Sequence, residues 1–243
     1  MEAMEGKLFL HCGGKAADRL ALAEVIVPDQ TDTYYPVPHL TLIEKIDGIA
    51  RDLLHRELIR ESFGLARKGK QMFGVLTYKN GDDEDMGLSI GIRNSYDKTM
   101  SIGVALGGRV FVCDNLAMSG EIRIVRKHTQ GVWEAIENMA IGTLYRYGPI
   151  WDALQSDVVA MKQVKIGSLH GHELLGRLIG ADVFSPRQIP HAYREWDHPT
   201  LPDFEPRNIW SLYNACNQAL KTSPVNEIME KHRLLHKTLV DLH

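Results

Sequence analysis

Three consecutive residues, Cys113-Asp114-Asn115, end the apolar run in GGRVFVCDNLAMSG, the stretch from Gly107 to Gly120. A Cys113 thiolate could serve as nucleophile if His128 took its proton and Asp114 or Asp97 oriented that imidazole. The spacing compels none of these contacts. In the structural reading, Cys113 is a small apolar strand residue and Asp114-Asn115 form a turn whose side chains bond nearby backbone N–H groups. That reading is favoured for Cys113, and it leaves Asp114 and Asn115 as the better ligand contacts.

A second constellation is basic. Arg123, Arg126, Lys127 and His128 follow the same strand, while Arg93, Lys98 and Arg109 flank neighbouring turns. Collected along one sheet edge, they could neutralise phosphates, with Asn94 and Asp97 beside them and Tyr78 and Tyr96 as stacking faces for bases. The plainer alternative is that these cations solvate sheet edges and turns.

Other patterns carry less chemistry. His170, His172, His191 and His198 crowd the C-terminal half, but helix positions two apart diverge by about 200°, and no His-Glu-x-x-His frame is present, so neither metal nor cofactor is expected. Gly13 to Lys15 and Leu106 to Arg109 lack the strand-loop-helix context of a phosphate loop. The acidic GDDEDMG reads as a solvated loop. In NIWSLYNACNQALK, Trp210 reads as a packing residue. Asn214 and Asn217 share a helix face, with Asn214 expected as a buried pin for the Cys113 turn or another loop.

Positioning these groups requires a sheet. GLSIGI alternates apolar and small or polar residues, MFGVLTY and SFGLA are extended runs about the turn-like RKGK, and NSYDK turns the chain into MSIGVAL. Gly107-Gly108 then reads as a two-residue hairpin turn with RVFVC returning, and EIRIVRKH as a further short strand. Ahead of the sheet, Leu42, Ile43, Ile46, Ile49 and Leu53 recur at helical spacing over 42–55, with Thr41 and Glu44 as a capping box. Beyond it, helices are expected from Val132 to a stop near Gly148-Pro149, then over IWDALQSDVVAMKQV and SLHGHELLGRLIGAD. Three more follow: SPRQIPHAYREW with Ser185 as cap, NIWSLYNACNQALK, and VNEIMEKHRLLHKTLVDL. The fold class is α+β: an antiparallel meander of about five strands, helices packed on one face, and a helical C-terminal half. Residues 1–38, with a short strand at KLFLHC, read as an N-terminal arm, and 39–243 as one domain, sheet-rich over 57–128 and helical over 130–243.

Composition sets the bounds. The chain has 243 residues, 44% of them hydrophobic and a formal net charge of −3, so any nucleic-acid contact must come from a local patch. Three widely spaced cysteines, Cys12, Cys113 and Cys216, suit reduced thiols. An acidic N-terminus without a signal-peptide pattern and the lack of any membrane-length apolar window suit a cytoplasmic protein with no membrane partner.

Three segments resemble a known family. YYPVPHLTLIEKI, the stretch from Gly91 to Thr129, and NIWSLYNACNQALK are similar to the phage- and plasmid-associated family known as domain of unknown function number 932. The matching positions are Asn94-Ser95-Tyr96-Asp97, Cys113-Asp114-Asn115, His128-Thr129 and Trp210 to Ala215. Tyr96 stands where that family carries histidine. The resemblance implies a mobile-element setting in a bacterial cytoplasm and no particular activity. The leading expectation is therefore a nucleic-acid-binding accessory protein in replication, recombination or anti-defence. Its partner would be DNA or RNA, single strands favoured, and a homo-oligomer is compatible with it. The alternatives are a nucleotide- or small-molecule-acting enzyme with its site at the strand ends, and an inhibitor of a host protein.

Overall fold

The computed structural model describes residues 14–81, 86–110, 115–117, 123–125 (backbone only) and 129–241. The expected strand at KLFLHC and most of the acidic loop lie outside the described residues. In chain order the elements are β1 (Lys15–Ala17), α1 (Arg19–Glu24), α2 (His39–Leu54), β2 (Leu58–Ala66), β3 (Gln71–Tyr78), β4 (Met86–Ser95), β5 (Ile102–Val110), β6 (Leu116–Ala117) and β7 (Arg123–Val125). Helices α3 (Val132–Leu144), α4 (Tyr147–Gln163), α5 (Ser168–Gly180), α6 (Ile189–Asp197), α7 (Ile209–Leu220) and α8 (Ile228–Val240) complete the chain. The protein is α+β with a helical C-terminal half.

All strand pairs are antiparallel, in the order β1-β2-β3-β4-β5-β6, with β7 also on β5. The segment before residue 39 is woven in: β1 extends the sheet, and Leu22 and Val37 are core residues. Register puts Met72 and Leu76 of β3, Leu88, Ile90 and Ile92 of β4, and Ile102, Val104 and Leu106 of β5 on one face, in the same core as Leu42, Ile43 and Ile46 of α2 and Ile136 of α3. Each large apolar side chain fully buried there contributes about 1.5–3 kcal/mol relative to exposure.

The opposite face is tiled with small residues, Ser89 and Gly91 of β4 facing Gly107 and Ala105 of β5, and it folds inward. Arg109 of β5 donates from Nη2 to Ser62 Oγ of β2 at 3.2 Å. Those strands are three places apart, about 14 Å in a flat sheet at about 4.8 Å per strand, farther than an arginine reaches; the sheet therefore curls. Phe73, Val75, Ala105 and Leu116 form a second core inside the curl, closed by Val225, Ile228 and Met229. Thus α8 is the helix that reaches this face.

Gly107-Gly108 is not a turn. Both residues lie inside β5, paired with Ser89 and Leu88 of β4. Gly108 serves close approach: a Cβ there would stand 2.5 Å from Met86 Cε and 2.9 Å from Leu154 Cδ2 of α4. The two expected strands are one. Helix α2 begins at His39 rather than after Thr41, because its first-turn N–H at His39 is bonded by the Tyr96 hydroxyl at 2.8 Å, a tertiary contact replacing the local cap. Likewise Gly148-Pro149 sits in the first turn of α4, where proline's missing N–H costs nothing. Ser185 to Gln188 form a separate turn, and α6 starts afterwards at Ile189.

Candidate functional site

The β2-β3 turn Arg67–Lys70 and the β4-β5 loop around Lys98 meet at one end of the sheet, because Gln71 pairs with Ser95 and the Tyr96 N–H bonds the Lys70 carbonyl at 2.7 Å. Lys68 and Gly69 are the central residues of the first turn, both at positive φ, which matches the twist of a tight hairpin. Arg67, Lys68, Lys70 and Lys98 are exposed, and exposed Lys15 of β1 pairs with Leu65 two residues before Arg67. Among the described residues, five that are not glycine have positive φ: His55, Arg67, Lys68, Lys98 and Asp182. Three of these five are cations of this rim. Left-handed backbone costs an L-residue roughly 1 kcal/mol or more, and glycine or asparagine would relieve it.

Beneath the rim lies a buried polar frame. Asn94, wholly buried, donates through Nδ2 to the Val37 carbonyl at 2.7 Å and to His39 Nδ1 at 3.0 Å. His39 Nε2 faces the Gly69 carbonyl at 2.9 Å, so Nε2 carries the proton and Nδ1 accepts. Burial pulls the His39 pKa down to about 4, against the opposing Gly69 bond. Tyr96 stacks on this ring with centroids 4.0 Å apart. The frame fastens the N-terminal segment and the base of the Lys68 turn to β4.

Asp97 belongs to the same end and is half-exposed. It accepts from the Thr99 N–H at 3.1 Å and from Gln71 Nε2 at 3.2 Å. Burial alone would raise its pKa, but the Thr99 bonds and nearby Arg67 hold it below the usual range. Lys98 Nζ lies 4.4 Å from the centre of the Tyr34 ring, a cation–π contact that steadies the loop.

The remaining expected site residues divide between the two ends. Arg93 is half-buried under the start of α8, donating to the Asn226 carbonyl at 3.1 Å. Arg109 is wholly buried in the curl, so it offers no surface charge. Tyr78 and Tyr96 are buried as well, Tyr78 donating to Asp47 at 2.8 Å, and neither presents a stacking face to a base. Arg123 is placed by its backbone, opposite Val104. Cys113, Asp114, Arg126, Lys127 and His128 lie outside the described residues.

At the far end, after β5, the Val110 N–H bonds the Asn115 carbonyl at 2.9 Å, and Asn115 Nδ2 donates to Asn214 Oδ1 at 2.8 Å. Asn214 Nδ2 in turn bonds the Trp210 carbonyl of its own helix at 2.8 Å. Asn214 thus pins the segment after β5 to α7. Trp210 stacks on Tyr213 at 5.3 Å. Nine residues of β5, about 30 Å, separate Asn115 from Asn94 and Asp97. Those three cannot share one active site. Burial pushes the Cys216 thiol up, which disqualifies it as a nucleophile. Among the described residues, no three His, Cys, Asp or Glu side chains converge to hold a metal, and no helix is long and apolar enough to cross a membrane.

No family model, curated protein or solved structure matches this chain. The rim cations Lys15, Arg67, Lys68 and Lys70 were not foreseen from sequence, although RKGK, three cations on one glycine turn, carried the signal.

Proposed function

We propose that this chain is a nucleic-acid-binding accessory protein of a mobile element, and that Lys15, Arg67, Lys68, Lys70 and Lys98 contact phosphates. The observation that carries this reading is the retention of Arg67, Lys68 and Lys98 in left-handed backbone at one sheet end. The resemblance of the Asn94 to Asp97 and Trp210 to Ala215 segments to the phage- and plasmid-associated family supports the mobile-element setting. Single-stranded DNA or RNA is the favoured partner: the five cations lie on two strand-connecting segments and a short edge strand, and none of them is carried by a helix that could lie in a duplex groove.

Fluorescence anisotropy with labelled single-stranded and duplex oligonucleotides across a salt series tests this. Each phosphate contact on a single strand contributes about −0.7 to the slope of log affinity against log salt, so the five cations predict a slope of about −3.5. Binding that ignores salt, or none at low salt, would refute it.

A further inference from the structure

A cavity of about 270 Å³ opens at the other end of the sheet, between the start of α7 and the strand ends at Met86 and Val110. It is small for a ligand site but large enough for a single compact molecule. Met86, Val110 and Phe204 supply apolar wall, Trp210 and Ser211 line its inner side, and Lys162 and Asp203 stand on its border.

Two observations mark its chemistry. Ser211 and Trp210 are 2% and 6% exposed, yet among the described residues neither the Ser211 hydroxyl nor the Trp210 indole N–H makes a hydrogen bond. Neither atom is among the fully enclosed unpaired polar atoms of the described residues, so both are open to solvent where these residues line the cavity. Independently, α7 is a twelve-residue helix whose N-terminus meets the cavity. In its first turn, Ile209 N–H bonds the Val164 carbonyl and Ser211 N–H the Asn208 side chain. The Trp210 N–H has no partner among the described residues, and helix starts attract negative charge. An indole N–H only donates and a serine hydroxyl donates readily, so a molecule entering the cavity meets them best with an acceptor.

We infer that this cavity binds a small carboxylate with an apolar body, its oxygens meeting the Trp210 indole N–H and the Ser211 hydroxyl at the start of α7 and its body lying on Met86, Val110 and Phe204. Exposed Asp203 stays in water at the mouth.

Benzoate, benzamide and benzylamine share one ring and differ in their head group, so calorimetric titration of the full chain with each separates the readings. Benzoate should bind, benzamide more weakly, and benzylamine not at all. Ser211→Ala, which deletes one donor and little volume, and Trp210→Phe, which deletes the other donor together with part of the ring, should each weaken benzoate about tenfold, the loss of roughly 1.4 kcal/mol. Lys68→Gly should leave benzoate binding unchanged, which distinguishes this cavity from the nucleic-acid rim. No benzoate binding, equal binding of benzylamine, or full affinity in folded Ser211→Ala and Trp210→Phe would each overturn the inference.

Discussion

Burial decides the protonation of two histidines. His39 is held near pKa 4, and His232 in α8 near 3, by desolvation with Lys221 adding to the effect. An unfolded chain protonates each imidazole as pH falls below about 6.5, whereas the folded chain keeps both neutral well below that. Over this window the unfolded state binds more protons, so stability falls with falling pH, by up to about 1.4 kcal/mol per unit for each histidine. Urea midpoints should therefore drop between pH 7 and pH 4.5, and His232→Gln should remove part of the drop. A midpoint constant over that range would show that neither imidazole is shielded as described.

At the scale of elements, α5 holds three glycines, and sequence cannot tell apart the two in its interior, Gly171 and Gly176. Glycine inside a helix is destabilising by about 1 kcal/mol relative to alanine, so propensity alone favours replacing both. At Gly171, however, a Cβ would stand 2.3 Å from the Trp196 ring of α6, while at Gly176 nothing lies within 4 Å. Gly171→Ala should lower stability by about 1–3 kcal/mol through overpacking, and Gly176→Ala should raise it by up to about 1 kcal/mol. Thermal melts of the two variants check this, and shifts of the same sign would contradict the α5-α6 contact. The same logic explains Gly108. A glycine pair between apolar runs reads as a turn, and only the proximity of Leu154 from α4, remote in sequence, shows that it is a gap in a continuous strand.

The whole molecule places two candidate sites at opposite ends of one curled sheet. They should respond to substitution independently, since effects at distant sites without shared partners add. Lys68 is the sharpest probe of the rim. Lys68→Gly removes a charge and relieves left-handed backbone, so it should raise stability by on the order of 0.5–1 kcal/mol while weakening nucleic-acid binding and lowering its salt slope by about 0.7. A variant both more stable and equally tight-binding would show that the charge at Lys68 serves no phosphate.

Much of the architecture was written in local pattern. The alternation in GLSIGI, the helical spacing from Leu42 to Leu53 and the amphipathic C-terminal segments are properties of neighbouring residues, and they determined the α+β class and the helical second half. The shared helix face of Asn214 and Asn217 was equally visible, though the partner of Asn214 could only be narrowed to the Cys113 turn or another loop. What tertiary structure alone decided is which residues meet. Curling buried Arg109, whose charge read as surface, and packing enclosed Tyr78 and Tyr96, whose rings read as stacking faces. Strand direction sent Asn94 and Asn115 to opposite ends and brought Lys15, Arg67, Lys68, Lys70 and Lys98 together. Periodicity reports which face of an element is apolar, but convergence of side chains depends on register and curvature, which contacts distant in the chain determine.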